Sequence, residues 1–480
     1  MKNIVLTFLI CAGFAFEAFP QILKFNPENF TQRELTMPDG YVVNYKSYEG
    51  IYYVQNIEDS VFQVLNIFVP ENMRKNSPIF LRTYTGGYMA SRAKLPSPND
   101  ASGRALEEGY VVCIPASRGS NSFVHKELYA KNKKNGKKKK LTGEFETVYT
   151  GKFPAGLLDL KAAVRYLMAN DDLIEGNSQK IITDGTSAGG AMSALLGATG
   201  NHPDYEKLLE KMGAAKAPDN VWTVVSYCPI TDLDHADMAY EWLYACTDNT
   251  TRKLSKEQTE VSEKLASMYA EYLKSLNLKN PISGELLTED NYANYLKTWL
   301  IASVEQAMEH GEEIADTLGL IFYDESKFGR YLVDIDLSKY LEYVSKCQKL
   351  KTPPAFDVQN LEENQPSAEN KAFGLSDGTP LNFTKFSSEN IDTLMLQRVK
   401  MMNPMNYITD SKAVKAPNWY IRHGAKDRDT GFQISLNLAL KLYNNGFNVN
   451  YFLPWGIAHT GDYNLNELFD YLDSLEKNGK

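Results

Sequence analysis

Short apolar segments alternate with helical patterns along residues 21–230. Segments that alternate apolar and polar residues at 35–70 predict a leading antiparallel sheet. Continuous apolar runs at 78–88, 110–119, 180–186 and 222–230 are typical of strands buried on both faces. Apolar residues at helical spacing predict a helix at 154–170. The alternation predicts a mostly parallel sheet covered by helices on both faces.

The pattern changes at 231–400 and resumes afterwards. Segments such as SEKLASMYAEYLKSL and SKYLEYVSKCQKL combine helical periodicity with many charges. Strand and helix patterns return as NWYIRHG, GFQISLNLALKLYNNG, VNYFLPWG and LNELFDYLDSLEK. We therefore predict a core made of 21–230 and 401–480, interrupted by a large, mainly helical lid insertion at 231–400.

Composition and charge argue against some classes of protein, and the N-terminal residues predict where the protein is located. The chain has 480 residues, of which 43% are hydrophobic, and a formal net charge of −9. This charge argues against general nucleic-acid binding. Residues 1–20 combine Lys2 with an apolar run at 4–16, which predicts a signal peptide and export to the periplasm, the cell surface or the medium. The other apolar runs are too short to span a membrane.

The cysteines and a lysine-rich segment have structural explanations. Cys113 and Cys228 lie in apolar strand patterns and are expected to be buried free thiols, whereas export would permit a disulfide between Cys246 and Cys347. The segment KNKKNGKKKK at 131–140 is expected to be a solvated loop, because like charges repel and extend the chain. A patch for an anionic partner is the alternative.

The stretch TDGTSAGGAMSA contains G-x-S-x-G, with Ser187 at its centre. It follows a β-branched strand pattern and precedes a helix of small residues, which is the context of the nucleophile elbow in α/β-hydrolases. Such a turn presents the serine hydroxyl at the carboxyl edge of the sheet, above the positive end of a helix. We therefore predict an α/β-hydrolase fold with Ser187 as nucleophile. A glycine-rich turn with a buried serine is the alternative.

A serine nucleophile needs a base and an acid, which follow it on this fold in the order Ser, Asp or Glu, His. His459 is the predicted base, because it follows the last predicted strand. Asp427 and Asp429 both follow the preceding strand, and chain order does not choose between them. The amide of Ala188 and an amide from the glycine pair at 86–87 are the expected oxyanion donors. This chemistry requires no cofactor and no metal ion.

Several longer stretches carry more information than G-x-S-x-G. They are GGYMAS, DLKAAVRYL, GTSAGGAMSALLGATGN, YCPITDLDHADMAYEW, KTPPAFD, ENKAFG, RHGAKDRDT and LPWGIAHTGDYNLNELF. Together they resemble the bacterial tannases (tannin acyl hydrolases), a family close to the feruloyl-esterase-like α/β-hydrolases. The resemblance runs from about residue 60 to the C-terminus and is far more specific than G-x-S-x-G.

The resemblance implies which residues carry out the ester chemistry. It assigns Ser187, Asp427 and His459 to the triad, and the amides of Gly87 and Ala188 to the oxyanion hole.

The resemblance also implies a site for the acyl ring. It assigns Asp429 to substrate binding, together with Lys351 and Glu369, as contacts of the galloyl hydroxyls. Ile230 would pack against the ring, opposite a position that is proline in the family and Ala368 in this chain. The chemistry agrees, since carboxylates accept hydrogen bonds from ring hydroxyls and a lysine stabilises a phenolate-like oxygen.

These features predict an exported serine esterase that hydrolyses the galloyl esters of tannins and simple gallates through an acyl-enzyme. A feruloyl or general aryl carboxylesterase is the enzymatic alternative. The non-enzymatic alternative is a surface protein that binds polyphenol or cell wall on a hydrolase scaffold. The expected partner is a small aromatic ester, not a nucleic acid or a membrane.

Overall fold

The computed structural model describes residues 23–131, 138–245, 252–314, 316, 318–326, 329–357, 366–390 and 392–477. The predicted signal peptide, Cys246 and the centre of the lysine-rich segment lie outside these residues.

The core is a nine-stranded sheet flanked by helices. Its strands are β1 (Thr31–Thr36), β2 (Val42–Tyr52), β3 (Val64–Pro70), β4 (Pro78–Arg82), β5 (Val111–Pro115), β8 (Asn177–Thr186), β9 (Thr223–Tyr227), β12 (Asn418–Arg422) and β13 (Asn448–Phe452). Its helices are α1 (Ala101–Glu107), α2 (Ala155–Ala169), α3 (Ala188–Ala198), α4 (Pro203–Met212), α11 (Phe432–Asn444) and α12 (Leu465–Lys477).

The strands run in the order β1-β2-β3-β5-β4-β8-β9-β12-β13. The pairs β1–β2, β2–β3 and β3–β5 are antiparallel. Every pair from β5–β4 to β12–β13 is parallel. The predicted leading antiparallel sheet and the mostly parallel, doubly covered sheet are both confirmed.

Two hydrophobic cores lie on opposite faces of this sheet. Within β4, Ile79 and Leu81 pack on one face and Phe80 on the other, and Ile181 and Ile182 of β8 divide in the same way. Successive side chains of a strand point to opposite faces, so a strand covered on both sides must be apolar throughout. This explains why the central strands appear in the sequence as continuous apolar runs.

A long excursion of the chain lies between β9 and β12, where the strand–helix alternation stops. Its helices are α5 (Ala236–Tyr244), α6 (Lys256–Leu276), α7 (Glu289–Glu309), α8 (Leu337–Cys347), α9 (Ala368–Phe373) and α10 (Thr393–Met401). Short 3-10 turns stand at Leu233–His235, Lys385–Asn390 and Pro404–Asn406.

This inserted region packs directly on the core. The hydroxyl of Tyr292 in α7 donates to the side-chain oxygen of Asn437 in α11 at 2.5 Å, and the Asn437 amide donates to the hydroxyl of Tyr269 at 2.9 Å. The start and the end of the region also meet, because the amide of Asn403 donates to the carboxylate of Asp232 at 2.7 Å. The insertion therefore leaves and rejoins the core at one place.

The structure adds a detail to one sequence interpretation and corrects another. The mainly helical insertion also contains an antiparallel hairpin, formed by β10 (Ile321–Ser326) and β11 (Gly329–Ile335). The lysine-rich segment is not simply a loop, because β6 (Phe123–Lys131) and β7 (Lys138–Tyr149) form a second hairpin that extends into it from both sides. Cross-strand pairing replaces the extended loop that like charges alone would favour.

Two smaller expectations concern thiols and membranes. Cys113 and Cys228 are buried free thiols, as predicted, whereas Cys347 is exposed. Within the described ranges, no helix is both long enough and apolar enough to cross a bilayer.

Candidate active site

Ser187 occupies a sharp turn between β8 and α3. Its backbone has φ 62° and ψ −124°, a conformation that costs a non-glycine residue about 1–3 kcal/mol. Two hydrogen bonds hold it there: its N–H donates to the Tyr227 carbonyl at 2.9 Å, and its carbonyl accepts from the Ile230 N–H at 3.3 Å. The motif glycines are required for close approach, since a Cβ on Gly185 would lie 2.4 Å from the Gly189 carbonyl oxygen.

Ser187, His459 and Asp427 form one hydrogen-bonded row. The Ser187 hydroxyl oxygen lies 2.7 Å from Nε2 of His459, and Nδ1 of the same ring lies 2.6 Å from a carboxylate oxygen of Asp427. The side chain of Asp427 is fully buried, whereas that of His459 keeps 17% of its surface exposed. The row therefore runs from a buried carboxylate to a serine that a substrate can reach.

Protonation in this row follows from burial and charge. Burial raises the pKa of Asp427, but the neighbouring imidazoles of His423 and His459 outweigh it, so the net pKa is lowered. Burial lowers the pKa of His459, but its hydrogen bonds to Asp427 and Cys228 and the negative charges of those groups together outweigh that effect, so the net pKa is raised. Asp427 is therefore an anion that favours a proton on Nδ1 of His459, which leaves Nε2 to accept the serine proton.

His423 lies behind the row. Its ring is completely buried, and Nε2 lies 3.4 Å from the Asp427 carboxylate. Burial lowers the pKa of His423 to about 4. The second histidine near the acid is therefore neutral and does not compete with His459 as a base.

The two sequence-predicted oxyanion donors are Ala188, which directly follows the serine, and Gly87, which lies in the loop after β4. Ala188 is the first residue of α3, so its N–H has no acceptor one turn earlier in the helix. Gly87 has φ 52°, a left-handed conformation that favours glycine. The next residue, Tyr88, anchors this loop, because its hydroxyl donates to the Ile230 carbonyl at 2.5 Å.

The insertion covers the oxyanion loop. A Cβ placed on Gly87 would lie 3.8 Å from the Cβ of Ala368, the first residue of α9. Ile230 is buried and is hydrogen-bonded to both Ser187 and Tyr88. The structure thus places Ile230 beside the nucleophile, through its hydrogen bond to Ser187, and Ala368 beside the oxyanion loop.

Lys351, Glu369 and Asp429 form a charged wall near this row. Burial lowers the pKa of Lys351, while the charges of Glu369 and Asp429 act in the opposite direction, so the three groups are close in space. The Lys351 ammonium lies 4.0 Å from the centre of the Phe356 ring. In the part of the chain that is described, neither carboxylate comes within ion-pair distance of this ammonium. The carboxylate of Asp429 instead lies 3.4 Å from the guanidinium of Arg428.

Asp429 links the wall to the row. Its N–H donates to the Asp427 carboxylate at 2.8 Å, and its own carboxylate lies 4.0 Å from Nδ1 of His459. Asp427 is thus the nearer acid to the imidazole, as the resemblance implies.

Sequence reasoning missed the contacts that hold the His459 loop. A Cβ on Gly461 would lie 1.9 Å from the hydroxyl oxygen of Thr186, the residue before the nucleophile. Asp462 pairs with Arg82 at the end of β4 at 2.6 Å. The available signal was an arginine at a strand end and an aspartate shortly after the base, two residues that only the fold brings together.

Among the described residues, two clusters have the side chains that a metal ion could use. One is Cys228 with Asp427 and His459, and the other is Asp232 with Asp234 and His235. In the second cluster Asn403 donates to both aspartates at 2.7 Å, and Nδ1 of His235 lies 2.9 Å from Asp232. These bonds involve all three residues of that cluster and connect the two ends of the insertion.

Comparisons with known proteins are in accord with this geometry. The BD-FAE family model matches residues 141–282, which include Ser187. The esterase LipC of Mycobacterium tuberculosis (strain ATCC 25618 / H37Rv) is 42% identical over 55 residues, and this match spans 12% of the chain and 14% of that esterase.

Solved structures of tannases match nearly the whole chain. The tannase of Fusobacterium nucleatum is 34% identical, with a TM-score of 0.80 over 94% of this chain and 99% of its own. The tannin acyl hydrolase of Lactobacillus plantarum is 31% identical, with a TM-score of 0.79 over 94% and 98%. A tannin acyl hydrolase in complex with ethyl gallate is 32% identical, with a TM-score of 0.80 over the same shares. The chain belongs to the bacterial tannases, a family of carboxylic-ester hydrolases with the α/β-hydrolase fold.

Proposed function

We propose that the protein is an exported serine esterase that hydrolyses galloyl esters, releasing gallate from tannins and simple gallates. One observation carries the proposal. Asp427 lies 2.6 Å from Nδ1 of His459, and its carboxylate accepts the N–H of Asp429 at 2.8 Å, so the acid of the row and one carboxylate of the wall are held side by side. A row suited to ester hydrolysis thus adjoins a wall suited to a polyhydroxylated ring.

Acylation begins at the Ser187 hydroxyl. As its oxygen attacks the ester carbonyl, its proton moves to Nε2 of His459, 2.7 Å away. The Asp427 carboxylate stabilises the resulting imidazolium. The N–H groups of Gly87 and Ala188 donate to the developing oxyanion. The tetrahedral intermediate then expels the alcohol, which takes the proton from His459 and leaves a galloyl ester on Ser187.

Deacylation repeats these steps with water. His459 takes a proton from a water molecule, whose oxygen attacks the acyl carbonyl of the galloyl-enzyme. The same two amides stabilise the second oxyanion. Collapse releases gallate and returns the proton to Ser187. The reaction needs no group that the side chains and water do not supply.

Recognition of the acyl group falls to the charged wall. Carboxylates of Glu369 and Asp429 accept hydrogen bonds from ring hydroxyls, and the Lys351 ammonium donates to a third ring oxygen. An acyl group without hydroxyls would leave these charges desolvated and unpaired, which costs roughly 2–5 kcal/mol, or about 30- to several-thousand-fold in kcat/KM. Ile230 and Ala368 would contact the faces of the ring.

The test compares acyl groups on one alcohol. We expect kcat/KM for methyl gallate to exceed that for methyl benzoate by at least tens-fold, with methyl protocatechuate between them. Methyl ferulate should be poor, because its methoxy group cannot donate to a carboxylate and its longer acyl chain displaces the ring. Lys351→Ala or Glu369→Ala should flatten this preference while a fluorophosphonate still labels Ser187.

A feruloyl or general aryl esterase is the second candidate. The observation in its favour is that the BD-FAE match covers 141–282, which contains the nucleophile but none of the three wall residues. Equal rates on gallate, ferulate and benzoate esters would establish this candidate in place of the first. Failure of a fluorophosphonate to label Ser187 would favour a binding protein on a hydrolase scaffold.

Export and the lid belong to the same proposal. The apolar run after Lys2 supports export through a signal peptide, and N-terminal sequencing of protein secreted by a bacterial host tests it. The insertion acts as a lid that brings Lys351 and Glu369 to the triad of the core.

A further inference from the structure

The β6–β7 hairpin has a row of aromatic rings on one face. The register pairs Phe123 with Tyr149, His125 with Thr147 and Glu127 with Phe145, so these positions share one face of the ribbon. Ring centroids are 5.9 Å apart for Phe123 and Tyr149, 5.3 Å for Phe123 and His125, and 6.2 Å for His125 and Phe145. We name Phe123, His125, Phe145 and Tyr149 the aromatic strip.

The strip is open to solvent. Phe123 is 48% exposed and Phe145 is 56% exposed. Two-stranded ribbons are marginally stable by themselves, and a contiguous exposed apolar patch marks a site of interaction. The strip consists of four side chains, far fewer than the roughly 20–30 residues that each partner contributes to a stable protein interface. Its size suits a flat small molecule.

The strip is continuous with the proposed active site through β7. The Tyr149 ring packs against the loop after α9, since a Cβ on Gly378 would lie 2.7 Å from it. The Lys152 ammonium lies 4.6 Å from the centre of the same ring and donates to the Lys371 carbonyl at 2.7 Å. Lys371 follows the wall residue Glu369 by two positions in α9.

The β6 side of the hairpin is tied to the oxyanion loop. The side chain of Asn121 accepts from the N–H of Ala90 at 2.8 Å, and Ala90 follows Gly87 by three positions. The β6–β7 hairpin is therefore attached to the oxyanion loop on its β6 side and to the segment around α9 on its β7 side.

We propose that the aromatic strip is a second subsite, which binds the non-reacting rings of substrates with several galloyl groups. This inference rests on the proposed function and names its substrate class. When one ring occupies the wall formed by Lys351, Glu369 and Asp429, the other rings of such an ester lie outside the pocket. Aromatic rings favour offset and edge-to-face packing, which the strip offers without reading individual hydroxyls.

The test compares a one-ring and a many-ring substrate. In the Phe123→Ser/Phe145→Ser double variant, KM for pentagalloylglucose should rise about ten-fold, the effect of roughly two ring contacts, while kcat and KM for methyl gallate stay unchanged. The matched control is Lys126→Ala/Glu146→Gln, a cross-strand pair on the opposite face of the hairpin, which should leave both substrates unaffected. Unchanged KM for pentagalloylglucose in the strip variant would overturn the inference.

A binding measurement tests the inference when the double variant does not fold, and it also shows whether a second copy of the chain occupies the strip. Pentagalloylglucose should bind the Ser187→Ala chain more tightly than the same chain with Phe145→Ser, by calorimetry on monomers isolated by gel filtration. Equal affinities of the two chains for pentagalloylglucose would overturn the inference. A wild-type dimer that Phe145→Ser dissociates would also overturn it, because a second copy of the chain would then cover the strip. If wild-type protein does not hydrolyse methyl gallate, the proposed function itself fails, which is a distinguishable result.

Discussion

Asp462 accepts a hydrogen bond from Arg82 at 2.6 Å, three residues after His459. Arg82 ends β4 and also pairs with Asp184, which is buried in β8 three residues before Ser187. The other oxygen of Asp462 accepts from the N–H of Ala101 at 3.1 Å. One buried guanidinium therefore joins the loop that carries the imidazole to the strand that carries the serine.

Loss of this ion pair should weaken the chemistry of every ester. In Asp462→Asn we expect kcat to fall about ten-fold on gallate and acetate esters alike with little change in KM, because the imidazole loses its position and not its substrate. The control is Asp473→Asn, which breaks a surface pair with Arg74. A defect confined to gallate esters would place the effect in ring binding and contradict this role.

Substitutions of the two neighbouring aspartates should affect different sets of substrates. Asp427→Asn should depress kcat on all esters, p-nitrophenyl acetate included, because the imidazolium loses its anion. Asp429→Asn should preserve p-nitrophenyl acetate hydrolysis and reduce kcat/KM on methyl gallate by at least tens-fold. The opposite pattern would mean that the two assignments are exchanged.

The acidic limb of the pH profile should follow His459. Its imidazole must be neutral to accept the serine proton, so activity is lost as pH falls through its pKa. The hydrogen bond to Asp427 raises that pKa above the ordinary value of 6.5, so the limb of kcat/KM for p-nitrophenyl acetate should lie above pH 6.5. Asp427→Asn should move the limb to lower pH. A limb that stays in place in this variant would contradict the assigned acid.

Close packing between the base loop and the elbow can be tested sterically. A methyl group on Gly461 would lie 1.9 Å from the Thr186 hydroxyl oxygen, so Gly461→Ala should lower activity and destabilise the fold by about 1–3 kcal/mol. Adding Thr186→Ala removes that oxygen and should recover part of both losses. Thermal unfolding measures the loss of stability, and p-nitrophenyl acetate hydrolysis measures the loss of activity. If the effects of the two substitutions simply add in the double variant, the contact between Gly461 and Thr186 is refuted.

Hydrogen exchange should show whether the insertion contacts the bound ring. With gallate bound, new protection is expected around Lys351 and Glu369 in the insertion, in addition to the core loops near Ser187. Protection limited to the core loops would show that the insertion does not contribute to ring binding. Lys351→Ala provides the control, because it should remove the protection of the insertion and leave labelling of Ser187 intact.

The sequence could predict those parts of the site that depend on strand order. Ser187 directly follows β8 and His459 lies in the loop after β13, and short apolar segments in the sequence predicted both strands. Asp427 and Asp429 could not be separated by position, since both follow β12. Their difference lies in backbone direction, which turns the N–H of Asp429 toward the carboxylate of Asp427.

The wall residues were beyond pattern analysis for a different reason. Lys351 lies in an irregular segment and Glu369 in the six-residue helix α9. The positions of both depend on how the insertion packs, and only the family resemblance singled them out. The β10–β11 hairpin was missed because its strands are brief and stand between long helical segments. Its Phe322 is 45% exposed, so its apolar residues do not mark a core face.

The hydrogen bond between Asp232 and Asn403 has an evolutionary consequence. A segment whose two ends meet can be replaced by another of different length without changing the spacing of β9 and β12, the neighbouring strands that it connects. The groups that break the ester and most of the groups that select the acid can therefore diverge at different rates. A lineage of such enzymes can acquire new ester preferences by exchanging one closed loop of chain, while its hydrolytic residues stay as they are.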